Sequence, residues 1–226
     1  MFGLTGFGSA LVTIPLATHF VPLQFALALY ALSDLSAALR VGFENPKTAV
    51  KTEWVRLVPM ILLGTALGVT LLVNLPRAAG MFALGAFVFG YALYSLFRHE
   101  SRNVVAAGWG WMAGLVGGIT STVFGAGGPP YAIYLSHRGL SKEQFRATMG
   151  FATLTSISLR VAAFLITGLL LNPKVWLIAI GVVPAALLGI AVARRMFLRI
   201  SRAQLLRAVA VVLLITGGSL VARAFG

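Results

Sequence analysis

Long apolar runs separated by short polar loops dominate the chain. The longer runs are near the ~20 residues that an α-helix needs to cross the hydrocarbon core of a bilayer. They cover residues 23–41, 54–73, 79–97, 104–124, 147–171, 175–193 and 203–222. Two shorter runs, 9–18 and 126–135, would reach only about halfway across, at ~1.5 Å of rise per residue. The pattern predicts an all-α polytopic membrane protein.

Each short run follows a glycine-rich break. The stronger break reads Phe124-Gly125-Ala126-Gly127-Gly128-Pro129-Pro130, and a weaker version, Phe7-Gly8-Ser9, lies near the start. Glycine and proline interrupt a helix and leave backbone polar groups that lipid cannot satisfy, so such a break must face protein or a watery cavity. We therefore expect a solute to bind where the helices are broken.

Composition agrees with this class and removes several others. Hydrophobic residues make up 59% of the chain, charged residues 10%, and the mean hydropathy is +0.93, all outside the range of a soluble domain. The net charge of +13 is dispersed among short loops, so no basic domain is available to bind nucleic acid. The chain has no cysteine, and its three histidines lack metal-ligand spacing. We expect no metal and no cofactor.

Matched residues indicate a tandem duplication. The order and spacing of the matches are kept, with offsets of 117, 120 and 125 residues. Matched pairs are Phe7/Phe124, Gly8/Gly125, Gln24/Gln144, Ser36/Ser156, Arg40/Arg160, Pro59/Pro184, Gly64/Gly189 and Arg77/Arg202. We assign residues 1–98 to a first repeat, 99–103 to a basic connector and 104–226 to a second repeat. The first repeat has no counterpart of residues 104–117, so we expect that it lacks a leading helix.

The distribution of basic loops predicts how the halves are oriented. If the chain reverses at each glycine-rich break, most of the 18 arginines and lysines fall on one side, which the positive-inside rule makes cytoplasmic. A single crossing of residues 104–135 would instead divide them almost evenly. The sequence therefore favours inverted repeats with broken or re-entrant helices, an architecture that recurs in transporters.

Several residue types around the breaks suit an anion. A helix that starts after the break would present the backbone amides of Gly125, Ala126, Gly127 and Gly128, and the positive end of its dipole, to a bound anion. Gly8 and Ser9 would contribute in the same way from the weaker break. Glycines that merely allow close helix packing are the alternative.

Two matched arginines and their neighbours complete the candidate site. Arg160 lies inside an apolar run, where an unpartnered charge costs ~2.5 kcal/mol or more. It is either an anion ligand or half of a salt bridge, and Arg40, near a helix end, is the weaker candidate because it could reach the interface. Ser156 lies one helical turn before Arg160, and Thr155 adjoins it. Such hydroxyls could coordinate oxyanion oxygens, although they also bond to helix carbonyls routinely.

Asp34 is the acidic residue inside a predicted span. A buried acid there would either pair with Arg40 or Arg160 or stay protonated. If it titrates during transport, it would couple proton movement to the solute. The sequence leaves the fixed ion pair and the coupling role open.

These features resemble the sulfite exporter TauE/SafE family. The resemblance rests on the two glycine-rich breaks, the duplication and the basic segment from Arg40 to Arg56, and it covers almost the whole chain. It implies a multi-pass permease of the bacterial inner membrane that moves small sulfur-containing anions such as sulfite, sulfoacetate or related organosulfonates.

We therefore expect an exporter that works by alternating access at a midplane site. An anion channel is the nearest alternative, since a glycine break can also line a pore. A membrane scaffold and an intramembrane enzyme are the remaining alternatives, but the residues of a hydrolase are not visible, so we do not expect an enzyme. The expected partners are a small anion and lipid, without nucleic acid, and a homodimer is left open.

Overall fold

A computed structural model describes residues 9–42, 46–97, 104–196, 211, 214, 215 and 217–219. Every regular element in these ranges is helical, which confirms the all-α prediction. The helices are α1 (Ser9–Ala17), α2 (Leu23–Gly42), α3 (Lys51–Asn74), α4 (Arg77–Phe97), α5 (Trp109–Phe124), α6 (Gly128–Ser136), α7 (Lys142–Ile166) and α8 (Pro173–Met196). A short 3₁₀ turn, Pro46–Thr48, precedes α3.

The predicted apolar runs correspond to these helices, with differences at some ends. α7 begins five residues before the run at 147 because Ser141 and Gln144 form a capping box that satisfies two backbone amides. α5 begins at Trp109 rather than at 104. Most of the run at 203–222 lies outside the described residues. By length and composition, α3 and α7 are each sufficient to cross a membrane.

The chain reverses direction between α5 and α6. Near its end, α6 returns to the start of α5, where the amide of Val105 donates to the carbonyl of His137 at 3.1 Å. Midway along the pair, the Tyr131 ring lies directly over Gly117. The second glycine-rich break therefore produces a helical hairpin, as the distribution of basic loops predicted.

Glycines allow α3 and α5 to pack with their backbones in contact. A Cβ added to Gly64 would lie 2.3 Å from the carbonyl oxygen of Leu115, and one added to Gly118 would lie 2.6 Å from that of Ile61. Small residues let membrane helices approach in this way. Because no side chain separates the two backbones, α3 and the α5–α6 hairpin form one tightly packed unit.

The element order repeats along the chain and agrees with the predicted duplication. A nine-residue helix, a longer helix and a 24-residue helix with an internal proline occur as α1–α2–α3 and again as α6–α7–α8. Helices of the two predicted halves pack against each other: α3 packs on α7, and α8 packs on α2. Two related halves facing each other would give this pairing. The repeat boundaries themselves remain a prediction.

Candidate functional site

The start of α1 meets the glycine-rich break in the interior of the protein. A Cβ placed on Gly125 would lie 3.4 Å from the Cβ of Ala10 and 3.5 Å from the Cγ1 of Ile14. Both nine-residue helices therefore begin at the same place, although Gly8 of the first break lies outside the described residues. Since a helix N-terminus carries positive partial charge, two such termini favour an anion between them.

The break itself is shaped by the end of α5. Gly125 has φ = 69°, a left-handed conformation that favours glycine, and its amide donates to the carbonyl of Ser121 at 2.9 Å. The amide of Ala126 donates to the carbonyl of Thr120 at 3.1 Å. Two of the four amides that the sequence offered to an anion therefore close the preceding helix.

The amides of Gly127 and Gly128 occupy the N-terminus of α6. Pro129 and Pro130 follow them and have no N–H, so they contribute none of the donors that a helix start usually offers. Among the described residues, neither glycine amide donates to a backbone carbonyl in a turn, loop or helix cap. These two N–H groups are the backbone donors left for a ligand at this break.

A cavity of about 20 Å³ lies beside the break. One water needs at least ~10–15 Å³ measured this way, so the cavity holds a water-sized group and is too small for a sulfur oxyanion. It is lined by Ala10, Tyr30, Asp34, Ser121, Gly125, Ala126, Gly127, Gly128, Tyr131, Thr153, Ser156 and Ile157. The residues come from α1, α2, α5, α6, α7 and the break, so both predicted halves contribute.

Arg160 lies behind this cavity and is completely buried. Its Nη2 donates to Asp34 Oδ2 at 2.8 Å, and its Nη1 donates to the Ser121 carbonyl at 2.8 Å. Its guanidinium carbon lies 6.0 Å from the centre of the Tyr30 ring, within the range of a cation–π interaction. Of the partners the sequence left open for Asp34, the structure thus pairs it with Arg160.

The hydrogen bonding around Arg160 is incomplete. Arg160 Nε and Thr153 Oγ1 are buried and have no hydrogen-bond partner among the described residues, and the same holds for Ser33 Oγ beside Asp34. A buried polar atom without a partner costs about 1–3 kcal/mol, so native proteins rarely keep several together without a reason. A bound polar ligand would supply that reason.

Ser156 and Tyr131 form one wall of the cavity. The Tyr131 hydroxyl donates to Ser156 Oγ at 3.1 Å, and both side chains are almost fully buried. Gly117 makes room for the Tyr131 ring, because a Cβ there would lie 2.0 Å from Tyr131 Cε1. Ser156 thus occupies the predicted place, whereas Tyr131 was missed. An aromatic residue one turn beyond a glycine break, facing a small residue on the neighbouring helix, is the signal that could have identified it.

The other predicted residues have different positions. Thr155 Oγ1 accepts a hydrogen bond from Trp54 Nε1 at 3.0 Å and does not line the cavity. Arg40 lies in the last turn of α2 and Ser9 begins α1, but the side chains of both are outside the described part of the structure.

A second polar cluster, which the sequence analysis did not identify, lies at the basic ends of α3 and α6. Glu53, just before the predicted span, is 5% exposed and accepts hydrogen bonds from Arg138 at 2.9 Å and 3.0 Å. Its other oxygen accepts from Arg56 at 3.0 Å and from the Tyr134 hydroxyl at 2.5 Å. Arg138 also donates to the Val105 carbonyl at 2.7 Å. The cluster ties α3, the start of α5 and the end of α6 together.

Comparison with known proteins supplies a family. A family model described as "Sulfite exporter TauE/SafE" matches residues 1–220 of the 226-residue chain. No curated protein and no solved structure matches the chain significantly.

Proposed function

Since the chain belongs to the sulfite exporter TauE/SafE family, we propose that it exports small sulfur-containing anions by alternating access at the cavity between the two helix breaks. The family is one of membrane permeases, and that much holds for this chain. Sulfite, sulfoacetate and other organosulfonates are the proposed substrates. The bacterial inner membrane is the proposed location, with the basic loops facing the cytoplasm.

Arg160 is the observation that supports this proposal most strongly. A fully buried guanidinium lies next to a cavity at the broken helices, and its Nε has no hydrogen-bond partner in the part of the chain that the structure describes. Thr153 and the amides of Gly127 and Gly128 lie at the same cavity and add neutral donors. A pyramidal or tetrahedral oxyanion accepts several hydrogen bonds at once, so converging donors around one cation suit its chemistry.

The small volume of the cavity supports alternating access rather than an open pore. At about 20 Å³ the cavity cannot hold the substrate until the surrounding helices separate. The lining comes from helices of both halves, so a movement of one half relative to the other would open the site to one side of the membrane at a time. An anion channel would require a continuous opening past Arg160.

Reconstituted protein tests the proposal. Proteoliposomes containing the purified wild-type chain should exchange labelled sulfite or a sulfonate across the membrane, and a voltage-driven ionic current without saturation would support the channel instead. Arg160→Gln should reduce exchange at least tenfold, because it removes the buried positive charge while keeping a polar side chain that can donate hydrogen bonds. Arg146→Gln is the matched control, since Arg146 is exposed on the same helix.

Folding must be verified for each variant. Arg160→Gln leaves Asp34 without its ion-pair partner, so a second variant, Arg160→Gln with Asp34→Asn, removes both charges and keeps the pair neutral. A folded double variant without exchange supports the role of Arg160. Exchange at the wild-type rate in either folded variant would remove Arg160 from the substrate site.

A further inference from the structure

The positive charge of Arg160 is already neutralised in the described conformation. Asp34 is 5% exposed and its carboxylate lies 2.8 Å from Arg160, which is itself fully buried. The charge pair is therefore neutral as a whole. In effect, the carboxylate of Asp34 occupies the position on the guanidinium that a substrate anion would take.

Among the described residues around the cavity, Arg160 is the positive side chain. The described polar groups that face Asp34 and Arg160 are Tyr30, one turn before Asp34 on α2 and hydrogen-bonded to it, the Ser121 carbonyl near the end of α5, and Tyr131 on α6. None of the residues that line the cavity is a lysine, an arginine or a histidine. A tyrosine carries no positive charge in either protonation state, so neither of the two can balance an anion.

An anion that entered this site would add a negative charge that no further cation among the described lining residues would balance. A buried, unpaired charge carries a large desolvation penalty. Two carboxylate-like groups that share one arginine also repel each other, and in such pairs one acid takes up a proton. Of the described residues that line the cavity, Asp34 is the one with a carboxylate that can take up this proton.

We propose that the transported anion displaces Asp34 from Arg160 and that Asp34 takes up one proton as it is displaced. This inference rests on the proposed function. Before binding, the site contains one guanidinium and one carboxylate. After binding, it contains the guanidinium, the monovalent anion and a neutral carboxylic acid. The net charge is zero in both states, so each monovalent anion crosses together with one proton, and membrane voltage does not drive the cycle.

Wild-type proteoliposomes provide the first test. The vesicles contain a pH indicator, and the best-transported sulfonate is added. If the protein carries sulfite alone, sulfite is used and the proton count is corrected for the ionisation of sulfite itself. One proton should accompany each anion. A diffusion potential of about 100 mV would bias the distribution of one charge about 50-fold, but wild-type accumulation should change less than twofold. Full voltage dependence, or anion flux without protons, would overturn the coupling and leave the transport function intact.

Asp34→Asn provides the second test. The amide keeps the shape of the side chain but has no charge to titrate, so the empty site becomes positive and the loaded site neutral. Exchange of labelled for unlabelled anion should persist without proton movement, and net accumulation should become voltage-dependent. Glu143→Gln, which alters an exposed acid on α7, should behave as the wild type does.

The variant can also contradict the proposal. If folded Asp34→Asn protein still moves one proton with each anion, the proton site lies elsewhere. If it is folded and no longer binds or exchanges the anion, Asp34 supports binding and is not displaced. If the variant does not fold, the proton count and voltage response of the wild type decide alone. A wild type that transports none of the anions would contradict the proposed function itself.

Discussion

Gly117→Ala tests the wall of the site most directly. An alanine Cβ at this position would lie 2.0 Å from Cε1 and 2.5 Å from Cζ of Tyr131, whereas ordinary contacts are 3.4 Å or longer. The ring would therefore have to move by more than 1 Å. Because Tyr131 is fully buried and its hydroxyl is bonded to Ser156, such a movement would break that hydrogen bond or fill the small cavity that the ring lines.

The expected loss of stability follows from these contacts. Overpacking of a closely packed site costs about 1–3 kcal/mol, and a displaced Tyr131 also loses a hydrogen bond with a net contribution of about 1 kcal/mol. Replacing glycine by alanine in a helix returns up to about 1 kcal/mol. We expect the free energy of unfolding to fall by about 1–3 kcal/mol, and anion exchange to fall at least tenfold because Tyr131 lines the cavity.

Gly90→Ala is the matched control. Gly90 lies within α4, and an added Cβ there meets nothing within 4 Å, so this change isolates the effect of helix propensity. Denaturant unfolding in detergent, followed by tryptophan fluorescence, gives the stabilities, and exchange in proteoliposomes gives the activities. If Gly117→Ala matched Gly90→Ala in both measurements, the described packing of Tyr131 against α5 would be incorrect.

Two further substitutions test the contacts that hold α3 to the hairpin. Glu53→Gln should lower the free energy of unfolding by about 1–3 kcal/mol, and the lower half of that range applies because its arginine partners are 19% and 29% exposed. The control Glu143→Gln changes an exposed acid and should alter the free energy of unfolding by less than about 0.5 kcal/mol. Equal effects of the two substitutions would count against the Glu53 cluster. Gly64→Ala should lower the free energy of unfolding by about 1–3 kcal/mol relative to Gly90→Ala, because the new Cβ would lie 2.3 Å from a backbone carbonyl of α5, and unchanged stability would contradict the close α3–α5 contact.

Which polar groups pair at the centre of the fold depends on distances between helices, and the sequence does not specify these distances. It left Asp34 with two arginines as partners, and only the packing of α2 against α7 brought Asp34 to Arg160. It offered four backbone amides at the break, and the left-handed turn at Gly125 used two of them to end α5. Thr155 and Ser156 were equivalent candidates until the rotation of α7 directed one toward Trp54 and the other toward the cavity.

What the sequence determined by itself was the class of protein, the approximate position of each described helix and the place where one helix breaks. These properties depend on local physics: about 20 apolar residues span a bilayer, and a dense cluster of glycines and prolines such as residues 125–130 interrupts a helix. Tertiary structure alone decided which side chains meet at the break, as Tyr131 over Gly117 and the Glu53 cluster illustrate. Contacts between side chains on different helices depend on helix rotation and on how closely the helices pack, and the hydrophobic pattern specifies neither.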